Sequence, residues 1–154
     1  HFINPVLCPS LVLRAVFVGL FTVLASMVWV LGLEALGWKA EEQHLVKEMV
    51  QVVGETRILL LVYTIIGAPL IEELLFRGFF WRALRARIPF RAALLINAFL
   101  FGALHLDSPH TVPFLMCFGA VLVWLRDASG SLLPSILAHV LNNALVCLTV
   151  IYEV

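Results

Sequence analysis

The sequence predicts an all-α, polytopic transmembrane helical bundle with about five spans. Three observations lead there. Hydrophobic residues make up 62% of the 154 residues and charged residues only 13%, well outside the range of soluble domains. The apolar residues gather in five runs close to the roughly 20 residues a helix needs to cross a hydrocarbon core. A bilayer offers no water to unpaired backbone groups, so such runs must be helices rather than open strands. The formal net charge is zero, which gives nucleic acid no electrostatic footing as a partner. No repeat or low-complexity tract divides the chain. It reads as a single transmembrane domain over 1–154, with a motif-bearing core at about 58–152.

The spans are placed at Leu11–Leu33, Ile58–Trp81, Arg91–Leu106, Val112–Leu125 and Leu132–Tyr152, the third and fourth being short. Between the first two, Leu45, Val46, Met49, Val50 and Val53 share a helical face opposite Glu41, Lys47, Glu48 and Gln51. Glu41–Val53 therefore suits an amphipathic helix at the membrane interface, or a solvated connecting helix packed on the bundle. Pro69, inside the second span, removes a backbone donor and crowds residue 65. It predicts a kink or break beside Glu72 and Glu73, serving either a cavity or packing alone. Ala98 and Gly102 suit close approach of the third helix to a neighbour, and Pro134 suits the first turn of the last helix.

Topology comes from the arginines. Arg82, Arg85, Arg87 and Arg91 crowd one connection, which the positive-inside rule makes cytoplasmic. Alternation of spans puts Arg14 and Arg126 on that side, with Lys39, Lys47 and Arg57 opposite. Trp38, Trp81, Trp124 and Tyr152 fall near span ends, as an aromatic belt requires. Cys8, Cys117 and Cys147 form no Cys-x-x-Cys pair. They read as buried, inert thiols, with neither a disulfide framework nor a thiolate zinc site.

The chemistry-bearing residues lie at bilayer depth. Glu72, Glu73 and Arg77 interrupt the second span, and each ionisable group there costs at least about 2.5–3.5 kcal/mol, so they should face other helices or a wet cavity. Glu73 and Arg77, spaced i,i+4, suit mutual neutralisation. Phe101 and His105 share one helical face, and His139 and Asn143 share another. From the inferred cytoplasmic ends, Glu72 lies about ten residues in, His105 about fourteen and His139 about seven. At about 1.5 Å per residue these depths agree within roughly 10 Å, so one mid-membrane site is geometrically permitted. Asp107, Ser108 and His110 read as a hydrated loop, and Ser135 as a packing residue rather than a nucleophile. Asn142 reads as polar glue between helices.

Glu-Glu-x-x-x-Arg, Phe-x-x-x-His and His-x-x-x-Asn thus occur in order on successive apolar helices between Pro69 and Asn143. This arrangement resembles the CPBP family: CAAX prenyl proteases of the second type and bacteriocin-processing or self-immunity proteins, also called Abi proteins. The resemblance implies an integral, multi-pass protein, expected in a bacterial cytoplasmic membrane, that hydrolyses a peptide bond of a membrane-anchored or prenylated peptide substrate. Other membrane subunits are conceivable partners.

A carboxylate withdrawn from water takes up a proton more readily, which suits a general base. On that basis Glu72 with His105 holds and deprotonates a water, while His139 and Asn143 donate to the oxyanion. Glu73 pairs with Arg77 and orients Glu72, although the sequence leaves open which glutamate is the base. No cofactor is required in this scheme. The alternative is Zn2+ held by Glu72, His105 and His139, consistent with the metalloprotease label the family often carries, although no His-Glu-x-x-His is present. Two other function classes remain: a non-catalytic membrane scaffold subunit with a protease-like fold, and a proton or ion pathway.

Overall fold

Apolar residues lie on every side of each predicted span, so each helix presents hydrophobic surface both to its neighbours and to lipid. The computed structural model describes residues 9–38 and 51–152. Five helices result: α1 (Pro9–Ala35), α2 (Glu55–Arg85), α3 (Phe90–Ala103), α4 (Val112–Ser129) and α5 (Leu133–Tyr152). No strand occurs among the described residues. Pro9–Ala35, Glu55–Arg85 and Pro109–Ser129 are long and apolar enough to cross a membrane, while Phe90–Ala103 and Leu133–Thr149 are shorter apolar helices. Phe17, Val28, Leu59, Phe79 and Leu95 are all exposed, an outer surface suited to lipid rather than water. The protein is an all-α membrane helical bundle.

α2 does not break at Pro69. Over Tyr63–Gly67 the helix widens into a π turn, in which the Ala68 N–H reaches back five residues to the Tyr63 carbonyl. In that register residue 69 would donate to the Thr64 carbonyl, and proline has no hydrogen to give. The wide turn takes up the ring that an α turn would press against residue 65. Ordinary α-helix resumes at Ala68–Glu73. A second π segment comes next at Leu74–Phe80, closed by the Trp81 N–H on the Phe76 carbonyl.

Several boundaries and placements differ from the expectations. α3 stops at Ala103 instead of reaching Leu106, because the backbone tightens: Leu104 N–H bonds Phe101 O and His105 N–H bonds Gly102 O. His105 therefore stands in the turn beyond the helix. α4 runs past Leu125 to Ser129, where Gly130 at φ 67° closes it in the left-handed conformation. Ser108 is buried rather than hydrated, since the turn folds its N–H onto His105 O and its carbonyl accepts from Thr111.

Trp81 is also buried, edge-on to Phe90 and packed with Ala93 and Val123 where the α2–α3 hairpin closes. Trp38 and Trp124 are exposed as a belt requires. Cys117 is exposed on the outer face of α4, whereas Cys147 is buried. Most of the Glu41–Val53 segment, together with Cys8, lies outside the described residues.

Small residues set the spacing of the helices that carry the site. A methyl group on Gly102 would come within 2.6 Å of Met116 Cγ and 3.1 Å of the Val112 carbonyl, so α3 and α4 touch nearly backbone to backbone. One on Gly19 would come within 2.8 Å of Leu141 Cδ2 and 3.2 Å of the Ala138 carbonyl, between α1 and α5. Forcing bulk into such contacts typically costs about 1–3 kcal/mol. Gly102→Val should therefore lower stability by about that amount in a detergent unfolding titration, and an unchanged midpoint would contradict this packing.

Candidate active site

Glu72 and Glu73 sit in the short α segment between the two π turns of α2. Successive helical residues point about 100° apart, and here that separates inside from outside. Glu73 is fully buried, whereas the Glu72 side chain keeps 21% of its surface. A buried charge survives only when paired and hydrogen-bonded. Arg77 Nη1 donates to Glu73 Oε1 at 2.9 Å, and both side chains are sealed from solvent.

The guanidinium has a second partner on another helix, while its buried Nε has none among the described residues. Nη2 donates to the Gly119 carbonyl on α4 at 2.9 Å, and the carbon of the fork lies 4.3 Å from the Phe101 ring centroid. A methyl on Gly119 would stand 3.0 Å from Phe101 and 3.3 Å from Arg77 Nη2. Glycine is what lets the arginine reach that carbonyl.

α5 contributes His139, buried against the ring edges and faces of Phe101 and Phe118, at 5.8 and 5.2 Å between centroids. Its Nδ1 is 3.1 Å from Glu73 Oε1 and its Nε2 is 3.8 Å from Glu72 Oε2. One imidazole thus spans both carboxylates. An acceptor-only carboxylate already bound by arginine assigns the hydrogen between them to Nδ1.

Asn143, one turn beyond His139, points back at α2, where Nδ2 donates to the Thr64 carbonyl at 2.9 Å. That is the acceptor Pro69 leaves without a backbone donor. An amide nitrogen carries two hydrogens, so one remains for other use.

His105 joins the cluster through Phe101 alone. Its Nδ1 lies 3.3 Å from the Phe101 carbonyl and its ring is 5.7 Å from the Phe101 ring. No ion pair links it to Glu72 among the described residues. No three His, Cys, Asp or Glu are grouped closely enough to hold a metal ion among the described residues. The expected contact of Glu73 with Arg77 is present, but its second partner is His139, not Glu72.

Two contributors escape a reading of the sequence, Gly119 and Asn97. The fully buried Asn97 donates from Nδ2 to the Phe76 carbonyl at 2.9 Å. A signal for Asn97 is present, since steps of four lead from it to Phe101 and on to His105.

Residues 54–145, more than half of the chain, match the family described as type II CAAX prenyl endopeptidase Rce1-like. The chain belongs to that family. Comparison with curated proteins and with solved structures gave no match. The Rce1-like region takes in every residue of the cluster from Glu72 to Asn143, and membership gives the protein its general class, a CAAX-type intramembrane protease.

Removing one partner of a buried ion pair typically costs about 3–5 kcal/mol, because the other charge is left uncompensated. Arg77→Leu should destabilise by that order in detergent unfolding. Arg77→Lys should recover only part, since one ammonium does not span Glu73 and the Gly119 carbonyl as a fork does. Adding Glu73→Gln to Arg77→Leu should restore stability relative to Arg77→Leu alone; a further loss would mean that the pair is not what the site relies on.

Proposed function

We propose that the protein is an intramembrane endopeptidase that hydrolyses a peptide bond of a membrane-anchored or prenylated peptide, with Glu72 activating the water. The observation that carries this reading is the division between the two carboxylates. Glu73 is sealed in and engaged at Oε1 by Arg77 and His139, whereas the Glu72 side chain keeps part of its surface open; Oε2 of each is buried and accepts no hydrogen bond among the described residues. An engaged carboxylate serves to orient; an open one is available to take a proton.

In the proposed reaction Glu72 accepts a proton from water as the water oxygen bonds to the scissile carbonyl carbon. His139, held by Nδ1 on Glu73, directs Nε2–H at the developing oxyanion, and the second Nδ2 hydrogen of Asn143 adds another donor. Collapse breaks the C–N bond while Glu72 returns its proton to the leaving nitrogen. In the proposed reaction both ring nitrogens of His139 are used, one toward Glu73 and one toward the oxyanion, an arrangement suited to a low-dielectric interior.

His105, in the turn after α3, lies beside the same Phe101 ring, and in the proposed reaction it helps Glu72 hold the attacking water. The scheme requires no metal. In the same reading the protein lies in a bacterial cytoplasmic membrane with the Arg82–Arg91 connection on the cytoplasmic side.

The test is cleavage of a prenylated peptide by purified protein in liposomes. Glu72→Gln should lower kcat by about 10²–10⁴-fold, as loss of a general base does. Asn143→Ala should lower it by about 10²–10³-fold, as loss of an oxyanion donor does. Treatment with a chelator should leave the wild-type rate intact. Loss on chelation that zinc restores would overturn the metal-free scheme, and full activity in Glu72→Gln would remove Glu72 as the base.

A further inference from the structure

Asn97 lies in the middle of α3, among Ala93, Ala98 and Phe101, with no exposed surface. An amide buried there without a partner costs about 1–3 kcal/mol, whereas an apolar side chain of similar volume would cost nothing of the kind. Its Oδ1 has no partner among the described residues, so the Nδ2 contact alone must account for its presence, and that contact is specific. Asn97 Nδ2 donates at 2.9 Å to the Phe76 carbonyl, the same oxygen that receives the Trp81 N–H and closes the second π segment of α2.

We propose that Asn97 is a positioning residue, whose amide holds the Leu74–Phe80 π turn and thereby fixes the direction in which Glu72 faces. The proposal deepens the proteolytic reading given above and rests on it for its kinetic consequence.

The geometry around the acidic pair is nearly symmetrical. Upstream, Asn143 from α5 holds the Thr64 carbonyl in the first π turn. Downstream, Asn97 from α3 holds the Phe76 carbonyl in the second. The α segment Ala68–Glu73, with both glutamates, is clamped between two side-chain amides from two different helices. A π turn that relaxes to α by one residue rotates the downstream helix by about 100° relative to the upstream one. Glu72 and Glu73 lie between the two π turns, so a register change in either turn rotates them relative to the helix beyond it, by about the angle that separates the two glutamates, and away from His139.

Asn97 also belongs to the support of the ion pair. Phe76, whose carbonyl it holds, packs edge-on against Phe101 at 5.4 Å, the ring that lies beneath Arg77.

The test uses the full chain carrying Asn97→Leu, which keeps the branched shape with somewhat more bulk and removes the donor, and Asn97→Ser, which is smaller and whose hydroxyl is too short to reach Phe76. Misplacing a catalytic group by about 1 Å is worth up to about 100-fold in rate. Both variants should therefore lose about tenfold to a hundredfold in kcat on a prenylated peptide, with KM within about threefold of wild type and the rate counted per folded molecule. In a sample with ¹⁵N-labelled histidine, the His139 Nδ1 resonance, assigned by its loss in His139→Gln, should move in both variants.

Wild-type kcat with an unmoved resonance in either folded variant would overturn the proposal and leave Asn97 as packing. If the wild-type protein cleaves no peptide, the hydrolytic reading fails. The resonance then decides the clamp by itself, moving if Asn97 positions the pair and staying fixed if it does not.

Discussion

A carboxylate and a guanidinium with no access to water, Glu73 and Arg77, are the constraint around which this bundle is organised. Each ion carries a desolvation cost of several kcal/mol in such a place, and one contact between them does not compensate for both. The protein supplies the remainder from four helices. α4 offers the Gly119 carbonyl, α3 the face of Phe101, α5 the Nδ1 of His139, and α2 the one-turn spacing that brings the two charges together. Each of these contacts ties its own helix to α2. The pair therefore functions less as a source of stability than as a registration mark, because only one arrangement of the helices satisfies it.

The widened turns of α2 meet the same demand by backbone means. A regular helix crossing the membrane satisfies every internal carbonyl and has nothing to offer a neighbouring side chain. Pro69 in a π register leaves Thr64 O without a donor, and the second π segment leaves Phe76 O within reach of another helix. Polar side chains on α5 and α3 find their acceptors there. A proline that would disrupt a soluble helix becomes, in this setting, the origin of an interhelical hydrogen bond.

Much of the architecture was legible because hydropathy is a long-range signal: five apolar runs became five helices, and the one-turn spacing of Glu73 and Arg77 translated directly into contact. Other features were beyond its reach for identifiable reasons. Which of two adjacent glutamates faces inward depends on helix rotation, and a helix apolar on all sides gives no clue to rotation. The π turns depend on where carbonyls find partners from other helices, so Pro69 read as a kink. Trp81 and Ser108 were placed by distance from a span end, while their burial is decided by how the α2–α3 hairpin and the turn after α3 close. Asn97 was passed over as one polar residue in an apolar run, although it stands on the face that carries Phe101 and His105.

The brevity of α3 bears on how a hydrolase obtains water inside a membrane. Its 14 residues rise about 21 Å, against a hydrocarbon thickness of about 30 Å. A bilayer accommodates so short a helix by thinning beside it, by snorkelling of the flanking side chains or by association of helices. That turn carries His105 and Asp107. A bilayer thinned on that side would bring the headgroup layer, and with it water, closer to the acidic pair.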